Sequence, residues 1–204
     1  MTSDFAAAPA VGQVQVAERA DAARNRRKIL DAAGLILESR GAAGLSMDEV
    51  AQVARVGVGT VYRRFGDLSG LAHALLADQE QRFQESLLSG PAPLGPGAPP
   101  KDRIAALLSA LVDRLEENAE LLLVAETSAP YARFTCSAYE AHHAHLVRLI
   151  NEVSSASSGV VDAEFLADAL LAPLATNLYL HQRKVRGLSA ERIRHGLAAL
   201  LAPL

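Results

Sequence analysis

The sequence predicts an all-α fold of about nine helices, and three observations carry that expectation. Half of the 204 residues are hydrophobic, with Ala and Leu dominant, while aromatics make up 4% and Trp is absent. That composition suits packed helices rather than a sandwich or barrel built from β-branched and aromatic strands. Apolar residues recur at three- and four-residue spacing along most of the chain, the period of a helix. Gly, Pro and Ser clusters cut this pattern into helix-length pieces.

The first 17 residues, rich in Ala and Val with one Pro, have no usable period and are expected to be a disordered leader. From Glu18 to Arg40 the pattern is helical: Ile29, Ala33, Ile36 and Leu37 share a face, and Gly41 follows as a stop. Ser46-Met47-Asp48-Glu49 has the form of a capping box, in which the Ser46 hydroxyl accepts from the Glu49 N–H and the Glu49 side chain reaches back. Met47, Val50, Ala51 and Ala54 give the second helix its apolar face. A break at Arg55–Gly57 leads to a third, short helix ending at Phe65.

Asp67 is expected to cap a fourth helix running through Leu71, Leu75 and Phe83 to Leu88. Residues 89–100 hold five of the nine prolines and three glycines, so no helix crosses them. A fifth helix is expected over Asp102–Glu117 and a sixth over Ala119–Thr127, stopped by Pro130. A seventh follows over Tyr131–Val153, ended by the Ser154–Gly159 stretch. The eighth spans Asp162–Val185 with a kink at Pro173, and the ninth Ala190–Leu201 after the Gly187-Leu188-Ser189 turn. The expected organisation is a leader at 1–17, a helix-turn-helix head at 18–66 and a larger helical domain at 67–204.

Composition narrows the function. A single cysteine, Cys136, excludes an intramolecular disulfide framework and suits a reducing cytosol. No apolar run approaches the ~18 residues of a membrane span, and residues 1–16 hold no Lys or Arg to open a secretory signal. A cytoplasmic protein is expected. The net charge of −3 argues against indiscriminate nucleic-acid binding. Its distribution is uneven: residues 17–73 carry nine Lys and Arg against seven Asp and Glu, and residues 74–204 eleven against fifteen. Arg24, Arg26, Arg27 and Lys28, then Arg55, Arg63 and Arg64, make a small basic head on an acidic body, as suits a protein that touches phosphates at one end only.

Helices at Met47–Ala54 and Val58–Phe65 joined by a tight turn have the size of a DNA-reading helix-turn-helix. On a wheel of ~100° per residue, Val58, Val61 and Phe65 fall on one side, the expected buried side. Gly59, Thr60 and Arg63 point away, flanked by Tyr62 and Arg64. Arg63 has the planar fork that matches guanine O6 and N7; Thr60 and Tyr62 suit phosphate oxygens. Arg24, Arg26, Ser46 and Arg55 complete the expected DNA-binding set.

The runs Ser46-Met47-Asp48-Glu49-Val50-Ala51 and Val56-Gly57-Val58-Gly59-Thr60-Val61-Tyr62-Arg63-Arg64-Phe65, with Leu71, resemble the signature of the tetracycline-repressor (TetR) family. So does Arg24-Asn25-Arg26 followed by Ile29-Leu30-Asp31-Ala32-Ala33. The resemblance covers roughly residues 24–71, a quarter of the chain. It implies a homodimeric regulator, usually a repressor. A small molecule bound in the C-terminal domain would change the separation of two reading heads on a palindromic operator.

Two positions depart from the family pattern: Arg55 stands where a turn glycine is common, and Leu68 where a lysine often opens the fourth helix. They are the only sequence support for an alternative, a helical small-molecule-binding or interaction protein whose head no longer reads DNA specifically.

By the same resemblance the dimer interface would draw on Phe165, Leu166, Leu170, Leu174, Leu178, Ile193, Leu197, Leu200 and Leu201, and the pocket would lie among helices four to eight. The aromatic and polar groups first in line for a ligand there are Tyr131, Phe134, Tyr139, Asn177 and His181. Cys136, Glu140 and His143, at i, i+4 and i+7 of the expected seventh helix, are a weak metal candidate, since no ligand on a second helix accompanies them. No Gly-rich phosphate loop, paired-Cys metal site or Gly-x-Ser-x-Gly elbow is present, so neither enzymatic turnover nor a cofactor is expected.

Overall fold

A computed structural model describes residues 11–41, 44–126, 131–156 and 161–202. Among them are nine α-helices and no strand: α1 (Val11–Arg40), α2 (Met47–Ala54), α3 (Val58–Phe65), α4 (Leu68–Ser89), α5 (Pro100–Glu126), α6 (Ser137–Ala156), α7 (Ala163–Leu171), α8 (Thr176–Leu180) and α9 (Ala190–Leu200). The chain divides into two compact units that part after Leu75.

In the first unit α1 packs on α2 and α2 on α3. The core comes from Ile29, Ala33, Ile36 and Leu37 of α1 and from Met47, Val50, Ala51 and Ala54 of α2, all buried as their spacing predicts, and from Leu30, which the spacing did not single out. Val61 is the fully buried anchor of α3. α1 starts at Val11 rather than at Glu18, so the expected leader is helical over residues 11–17. Once nucleated, a helix extends one hydrogen bond per residue at little cost, and after Pro9 only Gly12 opposes it. The leader's first ten residues lie outside the described ones.

Ser46 caps α2, its hydroxyl accepting from the Glu49 N–H at 3.2 Å. The other half of the expected box differs: the Glu49 carboxylate turns to Arg40, tying α2 to the end of α1. An ion pair between helices outcompetes a local backbone contact here. Between α2 and α3 the chain turns through Arg55, whose φ of 56° and ψ of 47° are left-handed. The Arg55 N–H bonds the Gln52 carbonyl at 3.2 Å and the Val56 N–H the Ala51 carbonyl at 3.0 Å, the two bonds of a Schellman stop. Asp67 caps α4, accepting from the Gly70 N–H at 2.8 Å. Gly70 is required there, because a Cβ would stand 2.1 Å from the Phe65 carbonyl oxygen.

The second unit is organised on α5, which packs against α6, α8 and α9, with α7 laid on α6. Its core includes Ile104, Leu107, Leu108 and Val112 of α5, Leu146, Leu149 and Ile150 of α6, and Tyr179 of α8. The expected fifth and sixth helices are one. No Gly or Pro falls between Lys101 and Glu126, and Asn118, read as a junction, is buried with its amide donated to the Arg114 carbonyl one turn back. The Thr127 end and the Pro130 stop lie outside the described residues.

The expected seventh helix starts six residues late, since Tyr131–Cys136 form turns and the left-handed Tyr131 (φ 64°) begins them. Residues 157–159 of its expected terminator are outside the described set. Pro173 breaks the eighth helix outright. α7 ends in a 3₁₀ turn at Ala172–Leu174, α8 restarts at Thr176, and five residues of π-helix, His181–Val185, close on the Arg186 N–H to His181 carbonyl bond. No described helix is long and apolar enough to cross a membrane.

Candidate functional site

Each unit holds a site. In the head, α3 is eight residues long and presents one face to its own core and the other to solvent. Val61 is buried and Phe65 half-buried. Val58, expected to complete the buried side, is 39% exposed because it opens the helix, before a full turn has formed to cover it. Gly59, Tyr62, Arg63 and Arg64 are exposed and Thr60 half-buried.

The environment of the basic groups separates them. Arg24 pairs with Asp21, Arg27 with Asp31 at 3.5 Å and Arg40 with Glu49, and Arg26 also has a partner. Arg55, Arg63 and Arg64 have no ion-pair or side-chain hydrogen-bond partner among the described residues. Ser46, spent as a cap, keeps its hydroxyl at an exposed position. α3 therefore offers two unneutralised guanidiniums, a phenol and a helix surface left bare at Gly59. Such an array suits anionic oxygens and base edges.

Residues 29–75, the stretch that builds this face, match the family described as bacterial regulatory proteins, tetR family. The chain carries a TetR-family head. Over most of its length the chain also has the fold of a putative TetR-family transcriptional regulator from Rhodococcus sp., with a TM-score of 0.61 at 22% identity over 87% of this chain and 96% of that one. FadR from Bacillus subtilis in complex with stearoyl-CoA superimposes with a TM-score of 0.61 at 15% identity, over 86% of this chain and 96% of that one. The SmeT–triclosan complex gives 0.61 at 17% identity over 88% and 90%. AibR in complex with isovaleryl coenzyme A and operator DNA gives 0.56 at 21% identity over 88% and 98%. At these identities the likeness is one of fold. No curated protein matches the chain by sequence.

Beyond the TetR-family head, the second unit encloses a cavity of about 140 Å³. Leu111, Leu115 and Leu122 of α5 with Leu171 and Leu174 form its apolar lining; Glu80, Arg114, Glu126, Arg133 and His142, with Tyr139 and Cys136, form its ionisable lining. Glu80 of α4 is the hub. Its Oε2 meets Arg114 Nη2 at 2.8 Å, its Oε1 lies 3.0 Å from His142 Nε2 and accepts from Gln84 Nε2 at 2.8 Å. Burial pushes this carboxyl up, but the hydrogen bonds and charges of His142, Gln84 and Arg114 outweigh burial and hold it below the ordinary carboxylate value. Arg114 also donates to the Gln79 carbonyl at 3.2 Å and lies over the Phe83 ring, 5.0 Å from its centre, while Phe83 meets His142 edge-on.

At the other end of the cavity Arg133 pairs with Glu126, donates to the Leu171 carbonyl at 3.1 Å and covers the Tyr139 ring. Glu126 also accepts from the Thr176 N–H at 3.0 Å, bridging the gap that Pro173 leaves. Tyr139 donates to Asp168 at 2.6 Å, and burial, reinforced by that carboxylate, pushes the phenol up to about 12.

Of the five ligand candidates named from sequence, only Tyr139 lines the cavity. Phe134 packs edge-on against Tyr139 but is 53% exposed, Tyr131 is 76% exposed, and Asn177 and His181 face solvent. Sequence reasoning missed Glu80, Arg114, Glu126, Arg133 and His142. One signal was present: Arg114 and Asn118 interrupt the apolar stripe Leu107–Leu111–Leu115 of α5.

The metal candidate does not assemble. Cys136 sits in the turn before α6, its thiol on the Arg133 carbonyl, and so is off the helix that was to align it with Glu140 and His143. His143 instead stacks on Tyr139 and lies 3.4 Å from Asp168. Among the described residues no three His, Cys, Asp or Glu are grouped to hold a metal.

The expected interface set also divides. Leu170, Leu174, Ile193, Leu197 and Leu201 are buried in the chain's own core, with Leu166 packed against it; Phe165, Leu178 and Leu200 remain exposed at 69%, 39% and 52%. One face of a helix serves one role, and the core claims the inward one.

Proposed function

We propose that this protein is a ligand-responsive DNA-binding transcriptional regulator, a repressor that binds a palindromic operator as a homodimer and leaves it when a small molecule occupies the second unit. The observation that carries the reading is the solvent face of α3, where Arg63 and Arg64 stand unpaired beside a bare Gly59 in a TetR-family domain. Arg63 reads a guanine; Arg64, Thr60, Tyr62 and Arg55 hold phosphates, joined by Arg24, Arg26 and Ser46 at the margin.

The sensing half rests on the cavity. α4 contributes Glu80 and the Gln79 carbonyl to its ionic network, and the same unbroken helix begins at Leu68 beside the end of α3. A ligand that rearranges the Glu80–Arg114–His142 contacts acts on α4 directly. Solved relatives in complex with stearoyl-CoA, isovaleryl coenzyme A and triclosan support a small-molecule effector. Phe165, Leu178 and Leu200, the apolar side chains that α7, α8 and α9 turn outward, are the groups a second copy would cover.

Selection from genomic fragments with the purified protein tests the reading. A palindromic motif is expected, bound specifically by the wild type and not by Arg63→Ala at moderate salt. Recovery of no enriched motif would favour a helical small-molecule-binding protein. Arg55 takes the left-handed conformation of a turn glycine and is closed by both Schellman bonds, which supports the regulator over that alternative.

A further inference from the structure

We propose that the cavity of the second unit selects a small uncharged amphipathic molecule, of the size and polarity of a phenol or benzylic alcohol, over carboxylates and coenzyme A thioesters. The inference rests on the effector reading above, and size and charge carry it. A volume of about 140 Å³ is close to that of an engineered cavity of about 150 Å³ that admits benzene, so a ring bearing one or two further atoms fills it. The leucines of α5 and Leu171 and Leu174 form the apolar wall against which such a ring packs.

The charges of the lining cancel. Arg114 is matched by Glu80 at 2.8 Å and Arg133 by Glu126. A carboxylate or phosphate entering this space loses its hydration and meets arginines already committed to partners, so its charge goes uncompensated. An uncharged molecule meets no such cost. Its hydroxyl meets the polar side of a lining that sets Glu80, Arg114, Glu126 and Arg133 opposite the leucines.

Benzyl alcohol and benzoate, nearly equal in size and different in charge, make the test, with acetyl coenzyme A as a bulky anionic control. Calorimetric titration of the full-length protein at pH 8 is expected to give benzyl alcohol a Kd of about 0.1–1 mM, in keeping with the binding available to so small a molecule. Benzoate is expected at least tenfold weaker and acetyl coenzyme A without binding. Glu126→Gln keeps an oxygen for the Thr176 N–H while leaving Arg133 unneutralised, and is expected to reverse the order of alcohol and acid. Ala138→Leu, a modest filling of the cavity from α6, is expected to abolish alcohol binding and tests the location where Glu126→Gln fails to fold.

Equal or tighter binding of benzoate by the wild type overturns the proposal. So does binding of acetyl coenzyme A, no binding of benzyl alcohol, or alcohol binding that survives Ala138→Leu. DNA selection on the same preparations separates the two readings. Specific DNA binding without alcohol uptake sinks this proposal alone, and alcohol binding without specific DNA binding sinks the regulator alone.

Discussion

Replacing Gly59 by Ala sets the stability of the head against its use. Gly59 is the second residue of α3, and a Cβ built on it meets no atom within 4 Å. Its φ is not in the left-handed range that favours glycine. Neither space nor backbone geometry therefore calls for glycine in the free protein, and glycine in a helix costs roughly 0.5–1 kcal/mol relative to alanine. Being in the first turn, Gly59→Ala is expected to gain the lower value, about 0.5 kcal/mol, read as a rise in Tm of about 1–2 °C for a chain of this length. DNA binding is expected to move the other way. The methyl group enters the one part of the exposed face of α3 where backbone can approach phosphate or base closely, and crowding a packed contact costs about 1–3 kcal/mol, a loss of affinity of about 5- to 150-fold per head. Thermal melts and fluorescence anisotropy on a selected operator fragment measure both. A variant that melts higher and binds the operator as the wild type does would refute the idea that Gly59 serves the partner rather than the fold.

Arg55→Gly relieves a left-handed arginine and is expected to stabilise the head by about 1 kcal/mol in denaturant melts, with weaker operator binding if the guanidinium holds a phosphate. Arg64→Ala is expected to weaken binding to all sequences and flatten the salt dependence by about one unit of slope, where Arg63→Ala costs discrimination at one base pair; titrations at several salt concentrations separate the two. Glu80→Gln leaves the buried Arg114 without its anion and is expected to cost about 3 kcal/mol, most of it recovered in the Glu80→Leu, Arg114→Met pair. Acid sensitivity has a named source in His145, whose pKa burial, then the charges of Arg148, Arg103 and His142, push down to about 4. The unfolded chain takes up that proton first, near the ordinary value of ~6.5, so stability falls as pH drops from there to about 4. Melting temperatures from pH 7 to 4 are expected to fall less steeply for His145→Gln than for the wild type.

The turn between α2 and α3 was legible in the sequence almost to the residue, though the start of α1 was not. α2 and α3 start and stop where Ser46, Arg55, Gly57 and Gly66 say they should, because each boundary is a local event decided by a cap or a turn. Boundaries set by tertiary packing were not legible. Asn118 looks like a junction until its amide finds the Arg114 carbonyl, and Pro173 ends a helix it was expected only to bend because Glu126, fifty residues earlier in the chain, takes the N–H of the restart. The same distinction divides the sites. The exposed face of α3 lies within eight consecutive residues, so a wheel finds it, apart from Val58, which is more exposed than expected, and Thr60, which is half-buried. The cavity gathers Glu80, Arg114 and His142 from three helices, and nothing local tells a pairing arginine from a solvated one.

That difference among arginines is itself an argument for what each unit does. In the second unit six of the nine arginines, Arg82, Arg114, Arg133, Arg148, Arg183 and Arg194, face a carboxylate, with N–O separations of 2.7–3.0 Å for Arg82, Arg114, Arg148 and Arg183. Arg103 bonds the Leu87 carbonyl, and Arg186 and Arg192 stand exposed, one just after the π-helix and the other in α9. Where such pairs are buried, as at Glu80 and Glu126, they fix which helix faces meet, and they leave no net charge to draw a polyanion. On α3 the same residue type stands twice in eight residues without a partner and with no carboxylate on its own helix. Unpaired like charges side by side repel, and nothing in the fold of the head requires them. Their cost is offset only when an anion arrives. A duplex, with its regular phosphates, supplies that anion at the spacing of a helix lying in its groove, and it accounts for charges on α3 that packing alone leaves unexplained.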